Sequence, residues 1–226
     1  MNEILMKKRL FLSLFSFLGI FALLFPVRQI EAANVQATVK IYNYKGQPYI
    51  QISNPRNSSI TIVNTVLKQF AVTAAMHHSE STKANSEFWY KTTTKLMYNK
   101  NNKVSISNET SSFQGGVHDH YWTDTHNFDL TSGKRIFLKD ILNSKAKIQN
   151  AKAYISYVLT EKYKKGVPIF EENINDFNLD MLYTPFYLRD SAITIRFNPY
   201  EVGPFSEGII DVTVPMSAIE KHVSKE

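Results

Sequence analysis

No cysteine occurs anywhere in the 226 residues. That absence excludes a disulfide scaffold, an iron–sulfur or cysteine-zinc centre, and a lipid-modified cysteine behind a leader. There is also no internal repeat and no low-complexity linker, so a solenoid and a beads-on-a-string arrangement are both excluded. Charge is missing from Leu10 to Phe25, sixteen residues that follow Lys7-Lys8-Arg9. A basic start, an apolar run and then Pro26 form the pattern of an export signal. Ala32-Ala33 supply small residues at a cleavage point, with Ile30 or Glu31 three back as an imperfect match. The other reading is an uncleaved anchor, since sixteen uncharged residues fall just short of the roughly 17–25 that span a bilayer. Both readings carry the rest of the chain out of the cytoplasm, because the positive charges precede the apolar run. A cysteine-free exported domain fits a bacterial envelope better than a disulfide-dependent secretory route.

What is present is a folding-competent chain. Residues 33–226 are long enough for one well-buried core or two small interlocked lobes. The whole chain holds twelve Tyr and fifteen Phe, a generous aromatic content. Charge is segregated along the sequence. Residues 33–166 hold 18 Lys/Arg against 8 Asp/Glu, a balance of +10, and residues 167–226 hold 4 against 10, a balance of −6. If that split survives folding, one face suits anionic wall polymers and another a cationic partner. No nucleic acid partner is implied, and a membrane is met only through the N-terminal segment if it stays attached.

Residues 35–53 read as a β-hairpin: Val35, Ala37, Val39 and Ile41 alternate, Lys45-Gly46-Gln47-Pro48 turn, and Tyr49-Ile50-Gln51-Ile52 return. Asn57-Ser58-Ser59 offer helix caps before Ile60, Val63, Leu67, Phe70, Ala71 and Ala74, which repeat at helical spacing. Ser86 to Tyr98, Val104 to Ser107 and Tyr121 to Leu130 read as strands, with Asn99-Lys100-Asn101-Asn102 as a turn. A second helix runs from about Lys139, with Ile148, Ala151, Ile155, Val158 and Leu159 on one side, to Gly166-Val167-Pro168. Ala192 to Phe197 and Ile209 to Val214 are strands, and Pro215 to His222 form a short terminal helix. Strands and helices cluster rather than alternate, so the expected class is α+β: antiparallel sheets with two main helices packed on them, in two interlocked subdomains. The expected division is 1–32 signal peptide or anchor, 33–112 N-terminal subdomain and 113–226 C-terminal subdomain.

Two segments carry motifs. Gly115-Gly116-Val117-His118 is followed by Asn127 to Arg135 and Leu138-Lys139-Asp140-Ile141-Leu142, and Phe197-Asn198-Pro199-Tyr200-Glu201-Val202-Gly203-Pro204-Phe205 lies near the C-terminus. With Tyr49 to Asn54, these resemble the exported domain family shared by the extracellular region of the anti-sigma factor RsiV and the region ahead of the catalytic domain in the peptidoglycan deacetylase PdaC. The resemblance covers essentially residues 35–222. It departs from the family after His118, where Asp119-His120-Tyr121-Trp122 follows instead of the usual Gly or Asn. Only nine residues precede the apolar run, too few for a sigma-binding domain, and no catalytic domain follows residue 226. The resemblance therefore implies an exported recognition unit and neither signalling nor deacetylation.

Three chemistries are expected to compete. His118, Asp119, His120, Asp124 and His126 are the dense cluster of imidazole and carboxylate groups suited to zinc or manganese. His118 and His120 would share a strand face, whereas a bulge or turn at Gly115-Gly116 would make His118 a scaffold element instead. His77-His78 read as favourable charge at a helix C-terminus. A hydrolase would pair Glu201 with Asp190, Glu207 or Asp211; Ser132 and Ser206 have no nucleophile-elbow context. The third reading is binding. The prolines limit the freedom of a loop that displays Tyr200, Glu201 and Phe205, so docking costs little entropy. The resemblance to the anti-sigma family implies a lysozyme-type muramidase as partner, or peptidoglycan itself, with Pro199, Tyr200, Glu201, Pro204 and Phe205 as the contact residues. The acidic balance of residues 167–226 would steer a cationic enzyme in. No cofactor is implied.

Overall fold

A two-residue turn at Lys45 and Gly46, both at positive φ, joins β1 (Thr38–Tyr44) to β2 (Gln47–Ser53). The pair is an antiparallel hairpin in which β1 is largely exposed and β2 buries Tyr49, Ile50 and Ile52. The computed structural model describes residues 36–53 and 58–221. The expected export signal or anchor, together with Val35, Asn54, Asn57 and His222, lies outside the described residues.

Helix α1 (Ser59–Ala84) runs ten residues past the last apolar position that the periodicity picks out. Ile60, Val63, Leu67, Ala71 and Ala74 are buried as their spacing requires. The helix is long and apolar enough for a membrane span by composition, but its apolar face is the lid of a core. Asn64 clamps it to β2 by accepting from the Ile52 N–H (2.8 Å) and donating to the Ile52 carbonyl (2.9 Å). Because α1 extends to Ala84, His77 and His78 sit within it rather than at its end. His78 Nδ1 accepts from the Tyr90 N–H, and His77 faces Glu80 at 3.6 Å.

Strands β3 (Trp89–Lys100), β4 (Lys103–Phe113), β5 (His120–Asp129) and β6 (Arg135–Ile136) form one antiparallel sheet in that order. Asn101 and Asn102, both at positive φ, make the β3–β4 turn. The hairpin β1–β2 attaches to this sheet through side-chain amides. Gln47 accepts from the Thr92 N–H and hydroxyl and donates to the Tyr90 carbonyl, while Asn99 exchanges two bonds with the Ala37 backbone. One face of the sheet meets α1 over Val104, Ile106, Phe128 and Leu130.

The second core is built after Leu130. The expected second helix is broken in two: α2 (Leu138–Ile141) and α3 (Lys145–Lys164) are separated because Ser144 caps α3, accepting from the Lys147 N–H. Strands β7 (Phe186–Leu188), β8 (Ala192–Phe197) and β9 (Ile210–Pro215) form a three-stranded antiparallel sheet, and α4 (Met216–Ile219) closes the chain. Ala151, Ile155 and Leu159 of α3 pack with Ile193, Ile195, Phe197, Val212 and Val214.

The class is thus α+β, with antiparallel sheets, two long helices and two subdomains that interlock. Each subdomain has its own apolar cluster, and the sheet β3–β6 takes strands from both sides of position 112. Between the clusters lies a polar seam. The Phe186 N–H donates to Thr125 Oγ1 (2.8 Å), the Leu188 N–H to Ser105 Oγ (3.0 Å), and Asn127 Nδ2 donates to the Phe186 carbonyl (2.9 Å). Strand β7 therefore finds partners for its edge amides among the side chains of β4 and β5, where a third sheet strand would otherwise be needed.

Candidate functional site

The loop between β8 and β9 is held at both ends and exposed in the middle. Asn198 Oδ1 accepts from the Thr123 N–H of β5 (2.7 Å), and the Asn198 N–H donates to Glu201 Oε2 (2.7 Å). The Glu201 N–H returns to the Asn198 carbonyl, and the Tyr200 N–H donates to the Gly203 carbonyl. Val202 is fully buried, and its carbonyl accepts from the Phe170 N–H. At Gly203 an added Cβ would lie 2.8 Å from the Pro168 carbonyl oxygen and 2.7 Å from Ile210 Cδ1, so the chain passes there only without a side chain. Tyr200 is the residue this frame pushes outward. Its φ is +71°, a left-handed conformation uncommon for an aromatic residue, and it is 56 % exposed.

The two motif segments meet at Phe205. Its ring stacks on His118 at 4.4 Å and lies edge-on to Tyr121 at 5.1 Å, with Tyr200 6.0 Å away. Gly115 and Gly116, at φ +91° and +111°, make the turn that carries His118 there. His118 Nδ1 is also within 2.6 Å of the Asp119 carbonyl, which ties it into the scaffold. The glycine-histidine motif is therefore a buttress of the tyrosine loop. Pro199 and Pro204 are half-buried at the loop's shoulders.

Glu201 opens onto a cleft of about 430 Å³ whose acidic lining is Asp124, Asp176, Asp180 and Glu201, with Tyr183 and Asn198 between them. Glu201 is exposed as a residue, but its carboxylate folds back on Asn198. Burial of that end raises its pKa, and the hydrogen bonds from Asn198 oppose the rise. Asp124 is likewise raised by burial, with the Arg135 guanidinium opposing. Asp180 Oδ1 accepts the Leu182 and Tyr183 N–H groups, which fixes the cleft's far wall. Asp176 and Asp180 come from the acidic C-terminal third and Asp124 from β5. Nothing in their spacing along the chain announces that they converge on Glu201; only the −6 balance hints at it.

The other sequence candidates fall elsewhere. His118 and His120 are near one another, with ring centroids 5.6 Å apart. His126 lies six residues along β5 from His120, about 20 Å at the usual strand rise. It packs between Phe70 of α1 and Phe128. The three histidines do not converge, and among the described residues no group of three or more metal-ligating side chains forms. The partners expected for Glu201 in a hydrolase are occupied: Asp190 pairs with Lys100 at 2.6 Å and Asp211 with Arg196 at 2.9 Å. Glu207 is exposed in the short 3₁₀ turn Phe205–Glu207. Asp124, absent from that expected pair, shares Glu201's cleft instead.

His126 supports a prediction of its own. Both ring nitrogens are buried without a hydrogen-bond partner, and burial, then the nearby Arg135 charge, lowers its pKa to about 4. The unfolded chain binds this proton below pH 6.5 and the fold only near pH 4. Stability due to His126 is therefore intact above pH 6.5 and is lost as pH falls toward 4, by about 3 kcal/mol at pH 4. His126→Leu is expected to flatten that slope and to add about 1–2 kcal/mol at pH 7 by removing the orphaned nitrogens. Urea melts of both proteins between pH 4 and 8 check this; parallel pH profiles would refute it.

Residues 134–217 match the family model described as protein of unknown function (DUF3298). Two solved structures share the fold. One is a member of that family from Bacteroides fragilis, 12 % identical, with a TM-score of 0.57 over 85 % of this chain and 96 % of its own. The other is a DUF3298 protein from Pseudomonas aeruginosa, also 12 % identical, with a TM-score of 0.57 over 81 % of this chain and 89 % of its own. At that identity they bear on fold alone. No curated protein matches the chain.

Proposed function

We propose, for a chain whose residues 134–217 match the DUF3298 family model, that it is an exported cell-envelope recognition module. Its partner is a cationic muramidase of the lysozyme type, engaged by the Tyr200 loop and the acidic cleft beside it. The observation that carries this reading is Tyr200, presented at a strained backbone angle by a loop whose other residues are buried or hydrogen-bonded. A protruding, pre-ordered aromatic is the kind of residue that dominates binding energy in a cleft. The four carboxylates next to it supply complementary charge for a basic enzyme. The resemblance of the motifs to the extracellular region of the RsiV family supports the same partner.

Calorimetric titration of the purified protein with a lysozyme-type muramidase tests the proposal. One-to-one binding tighter than about 1 µM is expected, weakening as salt rises because the cleft's charges become screened. Absence of heat at concentrations of about 50 µM would end this reading.

A second reading rests on one observation, that Asp124 and Glu201 line the same cleft and both are raised by burial. A pair of carboxylates with unequal surroundings is the arrangement a glycosidase uses. Release of reducing ends from wall polymer, abolished by Asp124→Asn, would favour the hydrolase; inert protein with intact muramidase binding favours recognition.

A further inference from the structure

We propose that the cleft between the last two turns of α1 and the β3–β5 sheet is a carbohydrate-binding site, separate from the Tyr200 loop and independent of the muramidase reading. Strand register builds its floor. Tyr90 lies opposite Ser112, and Ser112 opposite His120, so these side chains share the sheet face that α1 covers, with Trp122 two residues further along β5. Over most of its length α1 seals that face with Val63, Leu67 and Ala71. Toward its C-terminus the helix presents His77, Glu80, Ser81 and Ala84 instead, and the space beneath stays open, about 820 Å³. Phe88, Gln114 and Gly115 close one end.

The lining selects the ligand. Trp122 and Tyr90 are half-buried with centroids 5.9 Å apart and planes at 70°, so the two rings make a corner rather than one flat slab. His77 lies 5.2 Å from Tyr90 and extends the aromatic surface. Around the rings stand a carboxylate, a carboxamide and two hydroxyls, from Glu80, Gln114, Ser81 and Ser112. A sugar ring has this same division, with apolar C–H faces and a rim of hydroxyls that both donate and accept. Rival ligands fit less well. No Lys or Arg is among the described lining residues and Glu80 is, which disfavours phosphates and anionic polymers. β3 is the edge strand of the sheet, but at the cleft the Tyr90 N–H is given to His78 Nδ1 and the Tyr90 carbonyl accepts from Gln47 Nε2, so that edge is already occupied against an extended peptide.

The chain has two tryptophans, and Trp89 stacks on Phe113 outside the cleft. Trp89→Phe therefore leaves Trp122 as sole fluorescent reporter. Chitotetraose and cellotetraose, titrated separately, distinguish an acetamido sugar from a plain glucan. For at least one of them the proposal expects a saturable shift in Trp122 emission with a dissociation constant of about 1 mM or tighter. By calorimetry on the protein with both tryptophans, Trp122→Ala is expected to weaken binding roughly tenfold or more. Glu80→Ala and Gln114→Ala, at exposed positions that leave the core intact, are expected to weaken it measurably. Tyr200→Ala, which disables the muramidase loop, is expected to leave it unchanged. No saturable change with either sugar up to about 10 mM would overturn the site. So would undiminished binding in both the Glu80→Ala and Gln114→Ala proteins.

Discussion

Tyr200→Ala is expected to weaken muramidase binding about a hundredfold, the loss typical when a central interface aromatic is truncated. The expectation rests on how little else the loop has to offer. Val202 is sealed in the core, Phe205 is committed to His118 and Tyr121, and Asn198 is bound to β5. The ring of Tyr200 is the loop's protruding apolar surface, and its freedom is spent before a partner arrives. The strained φ offers a control that separates folding from recognition. Tyr200→Gly relieves the left-handed strain and is expected to stabilise the fold by up to about 1 kcal/mol while losing binding as fully as alanine does. Glu201→Gln keeps a side-chain oxygen for the Asn198 N–H but removes charge from the cleft. It should cost binding chiefly at low salt. Calorimetry at two ionic strengths, beside denaturant melts of each variant, reads all three. A Tyr200→Gly protein that is more stable and still binds at full strength would show that the loop is not the contact.

Much of this architecture is readable in the chain because one-sided burial leaves a period. The β1–β2 hairpin and the buried stripe of α1 follow that logic, Asn101-Asn102 mark the β3–β4 turn, and β8 alternates apolar with polar residues although both its faces are buried. The second half of β4 does not. Asn108, Thr110 and Ser112, on the face toward α1, are buried although polar, while the opposite face carries Ser105 and Ser107 into the polar seam between the subdomains. A periodicity of hydrophobicity cannot register such a strand, which is why only Val104 to Ser107 stands out. The split between α2 and α3 escapes for a related reason, since Ser144 acts through a cap and leaves the apolar spacing undisturbed. At the site, Pro199, Gly203 and Pro204 mark a shaped loop, and its contents follow. The cleft beside it is invisible in sequence because Asp124 is carried on β5 and joins Asp176, Asp180 and Glu201 only when the two subdomains dock. The histidine cluster misleads for the converse reason. Closeness along β5 separates His126 from His120 in space, as an extended strand must.

Arg196→Ala is expected to destabilise the protein by about 2–3 kcal/mol, the loss of charge-assisted hydrogen bonds to buried hydroxyls, while the partner carboxylates Glu109 and Asp211 keep access to solvent. Arg196 is 8 % exposed on β8, yet most of its partners belong to the other subdomain. Its Nε donates to Asp211 on β9 at 2.9 Å. Its Nη1 reaches Ser107 Oγ at 2.7 Å, Thr123 Oγ1 at 3.2 Å and Glu109 Oε1 at 3.3 Å, on β4 and β5. One guanidinium fork thus holds the seam that also carries the Phe186 and Leu188 amides, and alanine would leave both the fork's space and its acceptors unfilled. Arg196→Lys keeps a charge but loses the planar fork, so it should fall between the two. The position of the residue makes a further consequence measurable. Both tryptophans, Trp89 and Trp122, sit on β3 and β5 in the first subdomain. If Arg196 couples the subdomains, urea melts followed by tryptophan emission and by far-ultraviolet dichroism coincide in the parent protein and separate in Arg196→Ala. The acidic cleft is assembled across the same seam, so muramidase binding should weaken in Arg196→Ala although the residue does not line the cleft. Coincident melts with a loss below about 1 kcal/mol would mean that the seam is held by its hydroxyl–amide bonds without the guanidinium.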